Sequence, residues 1–229
     1  MILTKNIDTI IWDLDGTILD SFGVVVDVWN QVLPKHGFST HTPDDVMYHY
    51  HGTLEETVVG LTGGTATDEQ IAAMLKDFMV IDNDYIQDVD HHLFIDAVAL
   101  SLHAHKAGLR QILVTNRAHG IERGNASPRT LIQNSRLRDC ITTIFCGDET
   151  GYHKPDPRTL GELAQSIDPA RTVTIGDQYK DAEFARELGA NSILVDRGSG
   201  IVHLDRLGDG WEQHVTIVHS LSDVTLEGN

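Results

Sequence analysis

Short runs of apolar residues recur along the chain, and longer segments with a helical period lie between them. Five runs are predicted to form buried β-strands: residues 9–12, 112–114, 141–145, 172–175 and 192–195. A strand that is apolar on both faces must be covered on both faces, so this pattern is typical of a parallel sheet. Alternation of such strands with helices predicts a doubly wound α/β fold.

Three of the segments between these strands carry apolar residues at the spacing of one helix face. They cover residues 97–107, 160–167 and 181–188. Gly108 and Gly189 directly follow the first and the third, where a glycine commonly ends a helix. We therefore expect helices on the faces of the predicted sheet.

The stretch from residue 20 to residue 95 has few strand candidates and many helix signals. Thr53 and Thr67 are each followed three residues later by Glu or Gln. This spacing fits the capping box that begins a helix. We expect a small helical domain, residues 20–95, inserted into an α/β core domain formed by residues 1–19 and 96–229.

Composition narrows the possible partners. The chain has 229 residues, with 34 acidic and 17 basic side chains and a formal net charge of −17. Such acidity disfavours nucleic acids and anionic membranes as partners. The two cysteines are too few for a disulfide framework or a four-thiolate zinc site. The sequence shows no signal-peptide pattern and no run of ~18 apolar residues. We expect a cytoplasmic protein, either a monomer or a homodimer.

Polar residues follow the predicted strands at the positions where a parallel sheet presents ligand-binding groups. They are Asp13, Asp15, Thr115, Asn116, Lys154, Asp177 and Asp181. A single Asp-x-Asp pair is more often a solvated turn, but four carboxylates at one rim need a cation to offset their charge. Carboxylate oxygens suit a hard ion such as Mg²⁺, which commonly also binds substrate phosphate.

In this order and spacing, the residues resemble the signature of the haloacid dehalogenase superfamily. That signature is a DxDGT motif, a Thr or Ser, a Lys and an acidic GDxxxD motif. Here it reads Asp13-Leu14-Asp15-Gly16-Thr17, Thr115, Lys154 and Gly176-Asp177-Gln178-Tyr179-Lys180-Asp181. The helical insertion looks like the C1 cap of phosphoglycolate phosphatase-like and β-phosphoglucomutase-like members. The fold implied is the Rossmann-like core of that superfamily with such a cap.

The resemblance implies a phosphatase that acts on a small phosphorylated metabolite. Asp13 would attack phosphorus and form an aspartyl-phosphate. Asp15 would protonate the leaving oxygen and later take a proton from water. Thr115, Asn116 and Lys154 would bind the phosphoryl group or orient the nucleophile.

The resemblance also implies bound Mg²⁺ and the groups that hold it. The ligands would be Asp13, the backbone carbonyl of Asp15, and Asp177, with Asp181 as a further ligand or as a partner of the ligands. The ion would shield the anionic nucleophile from the anionic substrate.

Three alternatives remain open at the level of sequence. A phosphomutase of the β-phosphoglucomutase type would use the same aspartyl-phosphate, and the sequence separates it poorly from a phosphatase. A 2-haloacid dehalogenase is weaker, because the acid at Asp15 favours an oxygen leaving group. A non-catalytic binding protein is disfavoured because the motif residues are all present.

Several polar residues near the motifs have no assigned role. His49, His51 and Glu56 lie in the insertion, where they either face substrate or pack within the helices. Arg117 either reaches phosphate or substrate, or pairs with a carboxylate. The polar segment 120–129 either frames the entrance or is a simple connection. The physiological phosphate ester is not readable from the sequence.

Overall fold

The structure, a computed structural model, describes residues 2–50, 53–86, 88–119, 124, 126–198, 202, 204–207 and 209–227. Six strands form a parallel sheet: β2 (Thr9–Trp12), β3 (Arg110–Thr115), β4 (Thr143–Cys146), β5 (Thr172–Gly176), β6 (Asn191–Val195) and β7 (Val215–Val218). Their order across the sheet is β4-β3-β2-β5-β6-β7. Two further strands, β1 (Ile2–Lys5) and β8 (Val224–Glu227), pair in parallel as a separate ribbon.

Helices connect the strands and cover the sheet. Before β2 is joined to β3, the chain forms α1 (Phe22–Lys35), α2 (Pro43–His49), α3 (Leu54–Leu61), α4 (Asp68–Tyr85) and α5 (Ile95–Lys106). The later helices are α6 (Pro128–Gln133), α7 (Gly147–Thr150) and α8 (Tyr179–Leu188). None of the helices in the described part of the chain combines the length and the apolarity that crossing a bilayer requires.

The central strands are buried, as a parallel sheet covered on both faces demands. All four residues of β2 and all five of β5 are buried. Trp12 is fully buried, and its indole N–H donates to Oε1 of Gln111 at 3.0 Å, so its polar atom is satisfied inside the core. This rigid sheet fixes the strand ends that carry the polar motifs.

Helices α1 to α4, called the cap helices below, have a hydrophobic core of their own. Trp29 of α1 and Phe78 of α4 pack with ring centroids 4.6 Å apart inside it. The predicted capping boxes at Thr53 and Thr67 are both formed, and Thr42 makes a third. The division into a core of residues 1–19 and 96–229 and a cap of residues 20–95 remains a prediction.

Two predictions of secondary structure need correction. Residues 160–167 do not form a regular α-helix: the chain makes a 3₁₀ segment, Pro157–Ser166, broken at Gly161 with φ of 54° and ψ of −137°. Pro155 just before the segment, Pro157 at its start and Gly161 inside it favour this break. Strand β4 begins at Thr143 rather than Ile141, and β1, β7 and β8 were not predicted.

Candidate active site

The carboxyl ends of three neighbouring strands bring the predicted residues together. Asp13 directly follows β2, Thr115 ends β3, and Asp177 follows β5. Since β2 lies between β3 and β5 in the sheet, these positions are adjacent in space. Asp13, Thr115 and Asp177 are all buried.

Lys154 lies at the centre of this group. Its ammonium donates to Oδ1 of Asp13 and, at 2.7 Å, to Oδ1 of Asp181. The side chain is 6% exposed, so the charge is compensated by carboxylates rather than by water. Lys154 is therefore a fixed cation beside the proposed nucleophile.

Asn116 holds the backbone of Lys154. Oδ1 of Asn116 accepts from the Lys154 N–H at 2.8 Å, and Nδ2 donates to the Lys154 carbonyl at 3.3 Å. These two bonds join the end of β3 to the loop that carries the lysine. Asn116 thus positions a phosphate-binding candidate, and its amide is engaged in that task.

Three carboxylates form a cluster that fits a divalent cation. One oxygen from each of Asp13, Asp177 and Asp181 lies within 4.8 Å of the others. Both oxygens of Asp177 are buried and have no hydrogen-bond partner among the described residues. Oδ2 of Asp181 accepts the backbone N–H groups of Asp177 at 3.2 Å and Gln178 at 3.1 Å. A cation bound by Asp13 and Asp177 satisfies the orphaned oxygens, while Asp181 is already held by hydrogen bonds.

Burial sets the electrostatics of these carboxylates. Burial raises the pKa of Asp13 to about 7, with Lys154 opposing this and Asp181 adding to it. Burial, together with the charges of Asp13 and Asp181, raises the pKa of Asp177 well above its usual value. Without a cation, ionising both groups is therefore unfavourable.

Gly16 allows the motif loop to approach Asp177. Its φ is +75°, and a Cβ there would lie 2.2 Å from Oδ2 of Asp177. Arg197 supports the same loop by donating to the carbonyls of Gly16 at 3.2 Å and Thr17 at 3.1 Å. No sequence signal pointed to Arg197, because nothing in its neighbourhood resembles a motif.

Arg117, for which the sequence left open a contact with phosphate or a pairing with a carboxylate, forms a buried bridge between two carboxylates. Its Nε and NH2 groups donate to both oxygens of Asp15 at 3.0 and 2.6 Å. Its NH1 group donates to Asp82 of α4 at 3.0 Å and to the carbonyl of Ala126 at 3.3 Å. Burial acts to lower the pKa of Arg117, but Asp15 and Asp82 outweigh it and raise that pKa. Arg117 therefore orients Asp15 and ties it to the cap helices, and nothing in a helix sequence singles out Asp82.

A cavity of about 200 Å³ lies between the strand ends and the cap helices. Asp13, Asp15, Thr115, Asn116, Lys154 and Asp181 line it on the strand side. Tyr50, Leu54, Leu75, Phe78 and Met79 line it on the cap side. Six of the seven predicted site residues thus line one cavity, and Asp177 is not among its lining residues.

The structure shows contacts for two of the cap residues that had no role assigned from the sequence. His49 packs against Gly60 of α3, where a Cβ would lie 2.3 Å from its Nδ1. Glu56 accepts the Thr53 N–H at 2.7 Å as part of the capping box. His51 and residues 120–123 and 125 lie outside the described residues.

Comparison with known proteins decides the family. A family model described as haloacid dehalogenase-like hydrolase matches residues 10–195. The chain belongs to this family. A phosphoglycolate phosphatase from Nitrosospira multiformis is 27% identical over 201 residues, 84% of each chain. Hexitol phosphatase A from Escherichia coli is 22% identical over 222 residues, 94% of this chain and 92% of its own.

The fold is also found among solved structures. The crystal structure of a haloacid dehalogenase-like hydrolase from Bacteroides fragilis superposes with a TM-score of 0.75 at 23% identity, covering 94% of this chain and 98% of that one. The predicted doubly wound fold and superfamily are confirmed. The predicted enzyme class, a hydrolase of the phosphatase type, is confirmed as well.

Proposed function

We propose that the chain is a Mg²⁺-dependent phosphatase that hydrolyses a small phosphomonoester through an aspartyl-phosphate on Asp13. The observation that carries the proposal is the contact of Lys154 with both Asp13 and Asp181 beside the orphaned carboxylate of Asp177. In the proposed reaction these residues act as the nucleophile, the fixed cation and the metal ligands.

Each side chain has a role in the proposed reaction. Asp13 attacks phosphorus while the ammonium of Lys154 offsets the charge on the phosphoryl oxygens, which Thr115 also binds. Asp15 donates a proton to the departing oxygen and then removes one from the water that hydrolyses the aspartyl-phosphate. Arg117 keeps Asp15 in place through both of these steps.

The metal site follows from the same contacts. Asp13, Asp177 and the backbone carbonyl of Asp15 would hold Mg²⁺, and Asp181 would orient Lys154 and the Asp177 backbone. When bound, Mg²⁺ supplies positive charge that lets an anionic carboxylate approach an anionic phosphoryl group.

The test is release of inorganic phosphate from a panel of small phosphomonoesters, measured with Mg²⁺ and with EDTA. Metal-dependent release that falls by a factor of about 10³ or more in Asp13→Asn supports the proposal. Turnover that requires a bisphosphate activator and releases no net phosphate would instead identify a mutase. A folded protein that releases no phosphate from any compound would contradict the proposal.

A further inference from the structure

The two ends of the cavity differ in chemistry. The strand side carries the charged groups described above, and the cap side is mostly apolar, with Thr53 and Glu55 among its polar members. Leu75 and Met79 are one helical turn apart on α4, so their side chains share a face, and Phe78 lies beside them. Leu54 at the start of α3 and Tyr50 complete this apolar surface. A phosphate held by Lys154 and Thr115 leaves the rest of the substrate against it.

The basic side chains at the phosphate end are committed to protein partners. Lys154 contacts Asp13 and Asp181. The guanidinium of Arg117 is shared between Asp15, Asp82 and a backbone carbonyl. Neither cation is directed at the part of the cavity that would hold the leaving group.

The charges nearer the cap are on balance negative. Glu55 lines the cavity, and the neighbouring Glu56 lies 3.9 Å from Nζ of Lys180. Lys180, which also lines the cavity, is thus paired with one carboxylate, that of Glu56. The ring of His153 packs against Gly147, where a Cβ would lie 2.0 Å from its Nδ1. Among the lining residues that the structure describes, none from the cap helices is Lys, Arg or His.

We propose that the leaving group is a small uncharged alcohol with an apolar side, and not a hydroxy acid. The proposal rests on the proposed function, because it names the substrate class of that same site. A carboxylate placed against Leu75, Phe78 and Met79 would lose its water and would gain no cation from the described cap-helix residues of the lining, which is strongly unfavourable. Alkyl carbons would instead bury apolar surface there. The chain would then differ in preference from relatives named for phosphoglycolate, whose leaving group carries a carboxylate.

The direct test compares two substrates that differ in one group. 2-Phosphoglycolate and 2-hydroxyethyl phosphate have the same carbon skeleton, with a carboxylate in the first and a hydroxymethyl group in the second. We expect kcat/KM to be on the order of 100-fold higher for 2-hydroxyethyl phosphate. We also expect kcat/KM to rise several-fold from ethyl to propyl phosphate. Equal values for the matched pair, or a preference for phosphoglycolate, would overturn the inference.

A pair of variants tests whether the apolar face is the cause. Met79→Lys places a cation in the lining, whereas Val80→Lys makes the same change on the next residue of α4, whose side chain is 58% exposed. We expect Met79→Lys to shift the substrate ratio toward phosphoglycolate by about 10-fold or more and Val80→Lys to leave it unchanged. The same shift in both variants would overturn the inference in favour of a general charge effect.

The outcomes separate the two proposals. Metal-dependent hydrolysis with a preference for the carboxylate substrate would leave the proposed function intact and overturn only the inference. No phosphate release by the folded wild-type enzyme from any ester of the full panel, these four included, would overturn both.

Discussion

Gly16 lies where the nucleophile loop meets the proposed metal site. Its φ of +75° falls in the left-handed region, and a Cβ would lie 2.2 Å from Oδ2 of Asp177 and 2.4 Å from Cζ of Phe22. A side chain there must therefore move the carboxylate whose oxygens have no hydrogen-bond partner among the described residues. The requirement for glycine at this position is both conformational and steric.

Gly16→Ala is expected to weaken metal binding as well as stability. Backbone strain should lower the free energy of unfolding by about 1–3 kcal/mol. The displaced Asp177 should raise the Mg²⁺ concentration needed for half-maximal activity by about 10-fold. Gly63→Ala is the matched control, because φ there is +59° and a Cβ would meet nothing within 4 Å. An unchanged Mg²⁺ requirement in Gly16→Ala would contradict this account of the loop.

At the scale of single residues, the sequence predicted which candidate residues come together but not the residues that hold them in place. Asp13 and Asp177 directly follow strands and Thr115 ends one, and strand ends can be read from apolar runs. The role of Asn116 could not be read, because its bonds go to a backbone 38 residues away. Long-range contacts of this kind depend on the folded arrangement and leave no local pattern.

At the scale of the elements, α4 is joined to the loop that carries Asp15 through buried ion pairs of Arg117. Asp82 of α4 and Arg117 are 1% and 5% exposed, and Arg117 also holds Asp15. Removing one partner of a buried ion pair leaves the other charge without compensation. The bridge therefore couples the position of a cap helix to the position of the proposed general acid and base.

Asp82→Asn is expected to lower both stability and turnover. The free energy of unfolding should fall by about 3–5 kcal/mol. The fold-decrease in kcat should be larger than the fold-decrease in the affinity for inorganic phosphate. Urea unfolding and steady-state kinetics measure the two effects. Glu187→Gln removes an exposed partner of Arg186 and should cost about 1 kcal/mol or less. Equal losses of unfolding free energy and of kcat in Asp82→Asn and Glu187→Gln would contradict a coupling role for the bridge.

Asp96 anchors the start of α5 to the carboxyl side of the sheet. It accepts from Arg197 at 3.1 Å, from the Ser220 hydroxyl at 2.9 Å and from the Leu221 N–H at 2.8 Å. Burial acts to raise the pKa of Asp96, but these hydrogen bonds outweigh it, so the pKa lies below its usual value of 3.8. The ionised form is therefore the one that the fold stabilises.

The sign of this shift predicts how stability depends on pH. A carboxyl group with a lowered pKa contributes stability above its unfolded value, here 3.8, and loses it as the pH falls through the folded value. Asp96→Asn should therefore cost about 1.5–3 kcal/mol at pH 7, and the difference from wild type should shrink below pH 3.8. Urea unfolding of both proteins across this range measures it. A difference that grows on acidification would contradict the assignment.

Prediction of the elements succeeded where the signal is local. The capping boxes of α3 and α4 are fixed by residues three apart, and β2 by four buried residues. The helix predicted over residues 160–167 failed because apolar spacing was preserved while Gly161 broke the backbone. Strand β7 was not predicted although three of its four residues, Val215, Ile217 and Val218, are apolar, and only Val218 of them is buried.

At the scale of the whole molecule, the negative charge of the buried carboxylate cluster favours metal binding and opposes folding in the absence of metal. The net charge is −17, and Asp13, Asp177 and Asp181 meet in one buried cluster. Burial and the neighbouring charges raise the pKa of Asp177 well above its usual value, so its ionised form is disfavoured in the metal-free protein. A cation bound at the proposed site would reverse this penalty and link metal binding to global stability.

Asp177→Asn is expected to raise the Tm of the metal-free protein and to remove the increase in Tm that Mg²⁺ causes. In EDTA at pH 7 the variant should have a higher Tm than wild type, because a disfavoured charge is removed. Mg²⁺ at about 100 times its Kd should raise the Tm of wild type by about 5–10 °C and leave the variant nearly unchanged. Differential scanning calorimetry measures both. A variant that is less stable in EDTA and still responds to Mg²⁺ would place the metal elsewhere.

The central claim is that Asp13 carries the phosphoryl group during turnover. Rapid acid quench during hydrolysis, followed by peptide mass analysis, tests it directly. In Asp15→Asn, an ester whose leaving group needs no proton, such as 4-nitrophenyl phosphate, should still form the intermediate while its hydrolysis is slowed, so the intermediate should accumulate. We predict that the peptide containing Asp13 gains the mass of one phosphoryl group and that Asp13→Asn gains none. A phosphoryl group on another residue, or wild-type phosphate release by Asp13→Asn, would contradict the claim.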